Sequence, residues 1–172
     1  MTLLVPAHCQ GKEVHWSNAY ATLPFKRNRL GAPIFTIELD GQKLEATINP
    51  ASELTGIEPM IADRIFHLDA DSPGVEVTEK KASDQKPYYK RQFRSLGSEG
   101  VKVINLEIYF RLSPPNACKK CLRTRDNGVV GFDEKWCQGP PPLVIGLNVL
   151  RRLRLYMASK DNLIYFTTSD AQ

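Results

Sequence analysis

Residues 140–167 read PPPLVIGLNVLRRLRLYMASKDNLIYFT. Leu143-Val144-Ile145 is a short apolar run of the kind that a fully buried strand shows. Gly146 follows it, and Leu147 to Leu153 reads as a short helix. Leu155-Tyr156-Met157-Ala158 and Leu163-Ile164-Tyr165-Phe166 then pair as a hairpin around the polar Lys160-Asp161-Asn162. Strand, glycine, short helix and closing hairpin in that order set the pattern for the rest of the chain.

Working back, residues 40–57 read DGQKLEATINPASELTGI. Ile34 to Leu39 and Lys43 to Ile48 flank Asp40-Gly41, a dipeptide that tolerates the positive φ of a tight turn, so a hairpin is predicted there. Asp40 is accordingly a turn residue and not a catalytic acid. Pro59 to Ile65 reads as a short helix. Residues 69–92 are polar and weakly patterned, an excursion that fits a hairpin with Tyr88 and Tyr89 at its tip. Strand character returns at Gln92 to Leu96 and again at Val101 to Leu112, where Ile104, Leu106, Ile108 and Phe110 alternate onto one face. Residues 1–30 look irregular apart from a short strand through Tyr20 to Phe25. The expected class is mainly β, with non-local pairings and one or two short helices.

The chain has 172 residues, 42% of them hydrophobic, which suits one domain with a real core. Mean hydropathy is negative, and no apolar run approaches the ~20 residues that cross a bilayer, so no membrane span is expected. The opening Met1 to Pro6 is too short for a signal peptide. That leaves a cytosolic protein, or a periplasmic or secreted one whose export signal has been removed. The net charge of +4 gathers in short clusters at 26–29, 90–94 and 151–154, interspersed with acids. They read as solvated surface, and nucleic acid is not an expected partner.

The four cysteines leave alternatives open. Cys118 and Cys121 form a CxxC, Cys137 follows, and Cys9 lies far away near His8 and His15. A disulfide from Cys118 or Cys121 to Cys137 would staple the 113–142 loop in an oxidising compartment. Unpaired structural thiols are the second reading. A tetrahedral metal site is the third, although a second CxxC or a close His pair is missing.

The order of elements resembles the retropepsin-like aspartic proteases, most closely their bacterial branch. Residues 144–167 fit the family's closing pattern of Ile-Gly, Leu, Arg-x-Leu and Leu-Tyr-Phe-Thr, and residues 34–65 fit its opening half. The resemblance implies a closed β-barrel or sandwich, the acid protease fold. It places an N-terminal extension at 1–30, the domain at 31–168 with a flap at about 78–95 and a Cys-bearing loop at 113–142, and a tail at 169–172. It also implies a homodimer or a second lobe, and if a dimer forms through terminal strands, residues 163–168 are the expected interface, since an unpaired edge there would be a liability.

The departure lies at the motif itself. Where the family carries Asp-Thr/Ser-Gly-Ala/Ser, this chain has Asn49-Pro50-Ala51-Ser52. The chemistry needs two carboxylates sharing one proton, and an amide accepts no proton at ordinary pH. Pro50 lacks the hydroxyl and N–H of the usual threonine, and Ala51 adds a Cβ where glycine permits a tight loop. The expectation is therefore a homologue without peptidase activity and with no catalytic residue. Its cleft would hold an extended peptide or protein segment along Asn49, Ser52, Tyr88, Tyr89, Ile145 and Gly146, added as a strand under the flap. Two alternatives stand beside it: an active aspartic endopeptidase using an acid from elsewhere or from a partner chain, and a structural module with no cleft function.

No cofactor and no metal are expected. His67, Asp69 and Asp71 lack metal-ligand spacing and read as the polar end of a helix, while Ser52 has no Gly-x-Ser-x-Gly elbow around it. Trp16, Trp136 and Tyr109 read as core or rim aromatics and not as a ligand cage.

Overall fold

The computed structural model of the protein describes residues 20–81, 86–114, 121–133 and 140–169. The expected hairpin forms from β2 (Pro33–Leu39) and β3 (Gln42–Ile48), with Leu39 opposite Gln42. Only Asp40 and Gly41 are left to turn, and both have positive φ, +46° and +85°. That is the twist a two-residue hairpin requires. The loop 49–55 then leads to the two-residue β4 (Gly56–Ile57) and to α1 (Pro59–Arg64). β5 (Val75–Lys81) pairs with β6 (Pro87–Ser98), and β6 with β7 (Val101–Phe110).

β10 (Leu143–Ile145) closes the structure. It lies parallel to β3, with Leu143 opposite Ala46, and antiparallel to β4, with Leu143 opposite Ile57. The ring β2–β6–β7–β4–β10–β3 returns to β2 and makes a closed six-stranded barrel. Inside it, Leu39, Leu44, Phe93, Leu96, Leu106, Ile108, Phe110 and Leu143 are fully buried. The mainly β class with two short helices is the one the sequence predicts. No helix among the described residues is long and apolar enough to cross a membrane.

Four placements differ from the sequence reading. The barrel carries an annex of β1 (Ala21–Arg27), β11 (Leu153–Ala158) and β12 (Leu163–Thr168), in the order β11–β12–β1–β2. β1 falls inside the expected 1–30 extension, yet Ala21, Leu23 and Phe25 are buried. The packed domain therefore begins by Ala21, because this strand bridges β12 and β2. For the same reason residues 163–168 are not an unpaired edge: β12 has β1 on one side and β11 on the other.

The third difference lies in the 113–142 loop, which contains a small hairpin of β8 (Leu122–Thr124) and β9 (Val130–Phe132). Val130 pairs with Leu44 of β3, and Gly131 lies so close to Glu45 that a Cβ there would stand 2.3 Å from the carboxylate. Glu45 is buried and ion-paired with Arg125 and, at 3.6 Å, with Lys26. Cys121, also buried, is in a disulfide, and the other three cysteines lie outside the described residues, as do Trp16 and Trp136.

The last difference is one of phase. Ile104 was expected on the buried face with Leu106, but it is 56% exposed, and Val103 and Leu106 are the buried pair. Asn105 between them has φ +54°, which breaks the two-residue alternation. The opposite strand slips likewise, with Phe93 and Leu96 both inside. Polar groups from elsewhere hold this step. Asp40 accepts from the Ser95 N–H at 2.8 Å, and its own N–H donates to the Ser95 carbonyl at 3.0 Å. The Arg152 guanidinium donates to the carbonyls of Ile104, at 2.7 Å, and Asn105, at 3.1 Å.

Replacing Arg152 by Met leaves those two carbonyls without the donor that holds them. The expected loss is about 1–3 kcal/mol, the range for hydrogen bonds to charged groups. Amide hydrogen exchange should quicken over 87–93 and 106–110 while β3 stays protected; uniform loss of protection would contradict a local brace.

Candidate functional site

The chain leaves β3 at Ile48 and must reach β4 with β10 lodged between the two strands, so residues 49–55 cross the end of β10. The crossing is bonded at each step. Asn49 N–H donates to the Ile145 carbonyl at 3.0 Å, Leu147 N–H to Ser52 at 2.9 Å, and Asn148 N–H to Glu53 at 3.0 Å. Thr55, fully buried, places its hydroxyl at the centre. It donates to Asn148 Oδ1 at 2.7 Å and accepts from Gly146 N–H at 3.0 Å. Asn148 Oδ1 also takes the Thr55 N–H, and its Nδ2 donates to the Glu107 carbonyl at 2.9 Å. These buried polar atoms thereby have partners, which removes the penalty of desolvating them.

Asn49, Pro50 and Ala51 are exposed at the outer turn of this loop. Asn49 Oδ1 accepts from the Ala51 N–H at 3.1 Å, and Ser52 N–H returns to the Asn49 carbonyl at 3.1 Å. The Asn49 side chain thus closes an Asx turn on its own loop. Ser52 Oγ donates to the Leu54 carbonyl at 2.8 Å, so the hydroxyl is committed within the loop.

Beside the loop opens a cleft of about 1180 Å³. Gly56 and Ile57 of β4 and Val144 of β10 line its base, and Ser52, Glu53 and Leu54 one wall. The start of β6, from Lys86 through Tyr89, faces the end of β7 and its continuation, from Tyr109 through Pro114. Glu58, Pro59, Pro140 and Pro141 complete the rim. Tyr89 stacks on Phe110 with centroids 5.9 Å apart.

Of the residues that sequence reasoning assigned to a cleft, Ser52, Tyr88 and Tyr89 line it together. The two tyrosines stand on the β6 strand and not at a hairpin tip, since Lys81 already pairs with Pro87; residues 82–85 lie outside the described residues. Asn49 is not among the lining residues, and Ile145 and Gly146 are buried behind it. Sequence reasoning missed Glu53, Glu58, the 110–114 segment and the Pro140-Pro141 rim. The consecutive prolines were the available signal, since they leave a strand entry with no N–H to donate. His67 and Asp69 close the turn after α1: Asp69 Oδ1 accepts from Ser72 Oγ at 2.7 Å and from Asp71 N–H at 3.0 Å.

Two carboxylates near the cleft are shifted in opposite directions. Glu107 is held below its usual pKa mainly by its hydrogen bond from Lys90, which also pairs with Glu76 and so ties β5 and β7 across β6. Glu58 is raised by burial, an effect opposed by the N–H groups of Met60 and Ile61 that it caps.

A retropepsin-like aspartic protease from Rickettsia conorii matches this structure with a TM-score of 0.53 at 12% identity, over 89% of this chain and 95% of that one. The fold is the retropepsin-like one. The retroviral protease-like domain of Ddi1 from Leishmania major is similar at 13% identity, over 80% of this chain and 87% of that one, with a TM-score of 0.42. No protein-family model matches the sequence, and no curated protein matches it by sequence. Identity this low speaks for the fold alone.

At Gly146 a Cβ would stand 2.3 Å from the Leu54 carbonyl oxygen and 2.9 Å from that of Ser52, both backbone atoms. Gly146→Ala should therefore displace the 49–55 loop and lower stability by about 1–3 kcal/mol, the usual range for overpacking; an unchanged urea midpoint would refute the crossing as a tight contact. Glu58 has a folded pKa above its unfolded value, so its ionisation weakens the fold as pH rises between the two. Glu58→Gln keeps the capping oxygen and is expected to be at least as stable as the wild type at pH 7, the difference vanishing toward pH 4. Thermal denaturation across that range measures it, and a variant less stable at pH 7 would sink the assignment.

Proposed function

We propose that this protein is a retropepsin-like domain without peptidase activity, which binds an extended peptide or protein segment in the cleft beneath the β5–β6 hairpin. The observation that carries the reading is Asn49. It occupies the position where the resemblance sets the catalytic aspartate, and its amide is already turned back onto Ala51 N–H. A carboxamide neither shares a proton with a second acid nor activates water as a general base. Pro50 and Ala51 support divergence of the whole motif and not of one residue.

The cleft supports the binding half of the proposal. It is large enough for several residues of extended chain, and its lining mixes aromatic rings and prolines with charged and hydroxyl side chains, a composition that suits a peptide groove. The exposed turn at 49–51 is the side on which the resemblance sets a second lobe, so a second copy of this chain, or another domain, is proposed to face it.

The test is to incubate the protein with a diverse peptide library from acid to neutral pH, with and without a pepstatin-type inhibitor, and to read both cleavage and retention by mass spectrometry. No cleavage, with a subset of peptides retained, is the expected result. Inhibitor-sensitive cleavage would overturn the inactive reading in favour of an acid supplied from elsewhere. Peptide cleavage gained on combining Asn49→Asp, Pro50→Thr and Ala51→Gly would add support for the loop's descent from a catalytic one.

A further inference from the structure

Among the described residues, four charged side chains line the cleft: Glu53, Glu58, Lys86 and Arg111. Three of them, Glu53, Lys86 and Arg111, already engage other groups of the protein. Glu58 differs. Its Oε2 accepts from the Met60 N–H at 2.8 Å, and among the described residues no lysine, arginine or histidine forms an ion pair with it. Its backbone N–H donates to the Pro142 carbonyl at 3.0 Å, which fixes it between α1 and the entry to β10. Its carboxyl is half-buried, and burial outweighs the two N–H groups that would otherwise keep it acidic.

A carboxylate kept partly out of water without a cation is a site that a ligand's cation would complete. The same cleft presents the rings of Tyr88, Tyr89 and Tyr109, whose faces attract an ammonium or guanidinium group. With Glu53, Lys86 and Arg111 all engaged, an anionic ligand group entering beside α1 would meet the Glu58 carboxylate. We infer that the cleft selects extended peptides bearing a lysine or arginine side chain, with Glu58 as the residue that receives it. This rests on the peptide-binding reading of the cleft and adds the class of peptide to it.

Glu58→Gln is the discriminating variant, because it removes the charge and keeps an oxygen for the Met60 N–H. Random eight-residue peptide pools, each holding one fixed residue (Lys, Arg, norleucine or Glu), would be passed over immobilised wild-type and variant protein, and the retained fraction quantified. Circular dichroism would verify that the variant is folded. The wild type is expected to retain the Lys and Arg pools about tenfold over norleucine and to disfavour Glu, and in Glu58→Gln that ratio should fall to within about twofold. Peptides retained with no preference for a cation, or a preference that survives in the variant, would overturn this inference and leave the peptide-binding reading intact. Failure to retain any pool would remove that reading, and this inference with it.

Discussion

The structure depends on one strand lying where the chain order would not put it. β3 and β4 are separated by only seven residues, yet β10, from the far end of the sequence, occupies the space between them. The loop 49–55 has to pass over the end of an intruding strand, and the backbones meet there at a distance that leaves no room for a Cβ at Gly146. Buried backbone without a ladder partner is costly, and the Thr55–Asn148 pair supplies the missing partners from side chains. The exposed turn of Asn49 to Ala51 projects from this fixed base. The frame that would hold a catalytic group is therefore built independently of whether the group is present.

This separation divides the loop into a buried base and an exposed turn. The crossing needs Gly146, a hydroxyl at 55 and an amide at 148, none of which reacts with a substrate. The outer turn of Asn49 to Ala51 is exposed and takes no part in these buried bonds. The scaffold of the crossing is thus separate from the residues at its tip.

Much of the fold was legible because its local signals were strong. Asp40-Gly41 demanded a two-residue turn, Pro59 marked the first residue of α1, and Leu143-Val144-Ile145 was too short and too apolar for anything but an interior strand. What escaped was set by distant groups. The phase slip at Ile104 follows from a positive φ at Asn105 that Arg152 and Asp40 brace from other strands, and no alternation pattern contains that information. β1 was legible as a strand, but its second partner β12, like the partner that β9 finds in β3, lies more than eighty residues away. The site was legible only in part for a related reason. Ser52, Tyr88 and Tyr89 carry side chains that suggest contact, whereas nothing in the sequence around Glu58, which caps α1, marks it as a cleft residue.

The same intruding strand sets the order in which the molecule can be made. β2 and β3 pair through a two-residue turn, and β6 and β7 through Glu99-Gly100, so these hairpins need only neighbouring sequence. The flanks of β3 and β4 that receive β10 stay unpaired until residues 143–145 arrive, with nearly a hundred residues intervening. Closing so long a loop makes barrel formation slow relative to hairpin formation. During synthesis the chain consequently exists as an open sheet with two adhesive margins, and its passage to the closed form waits for its last third.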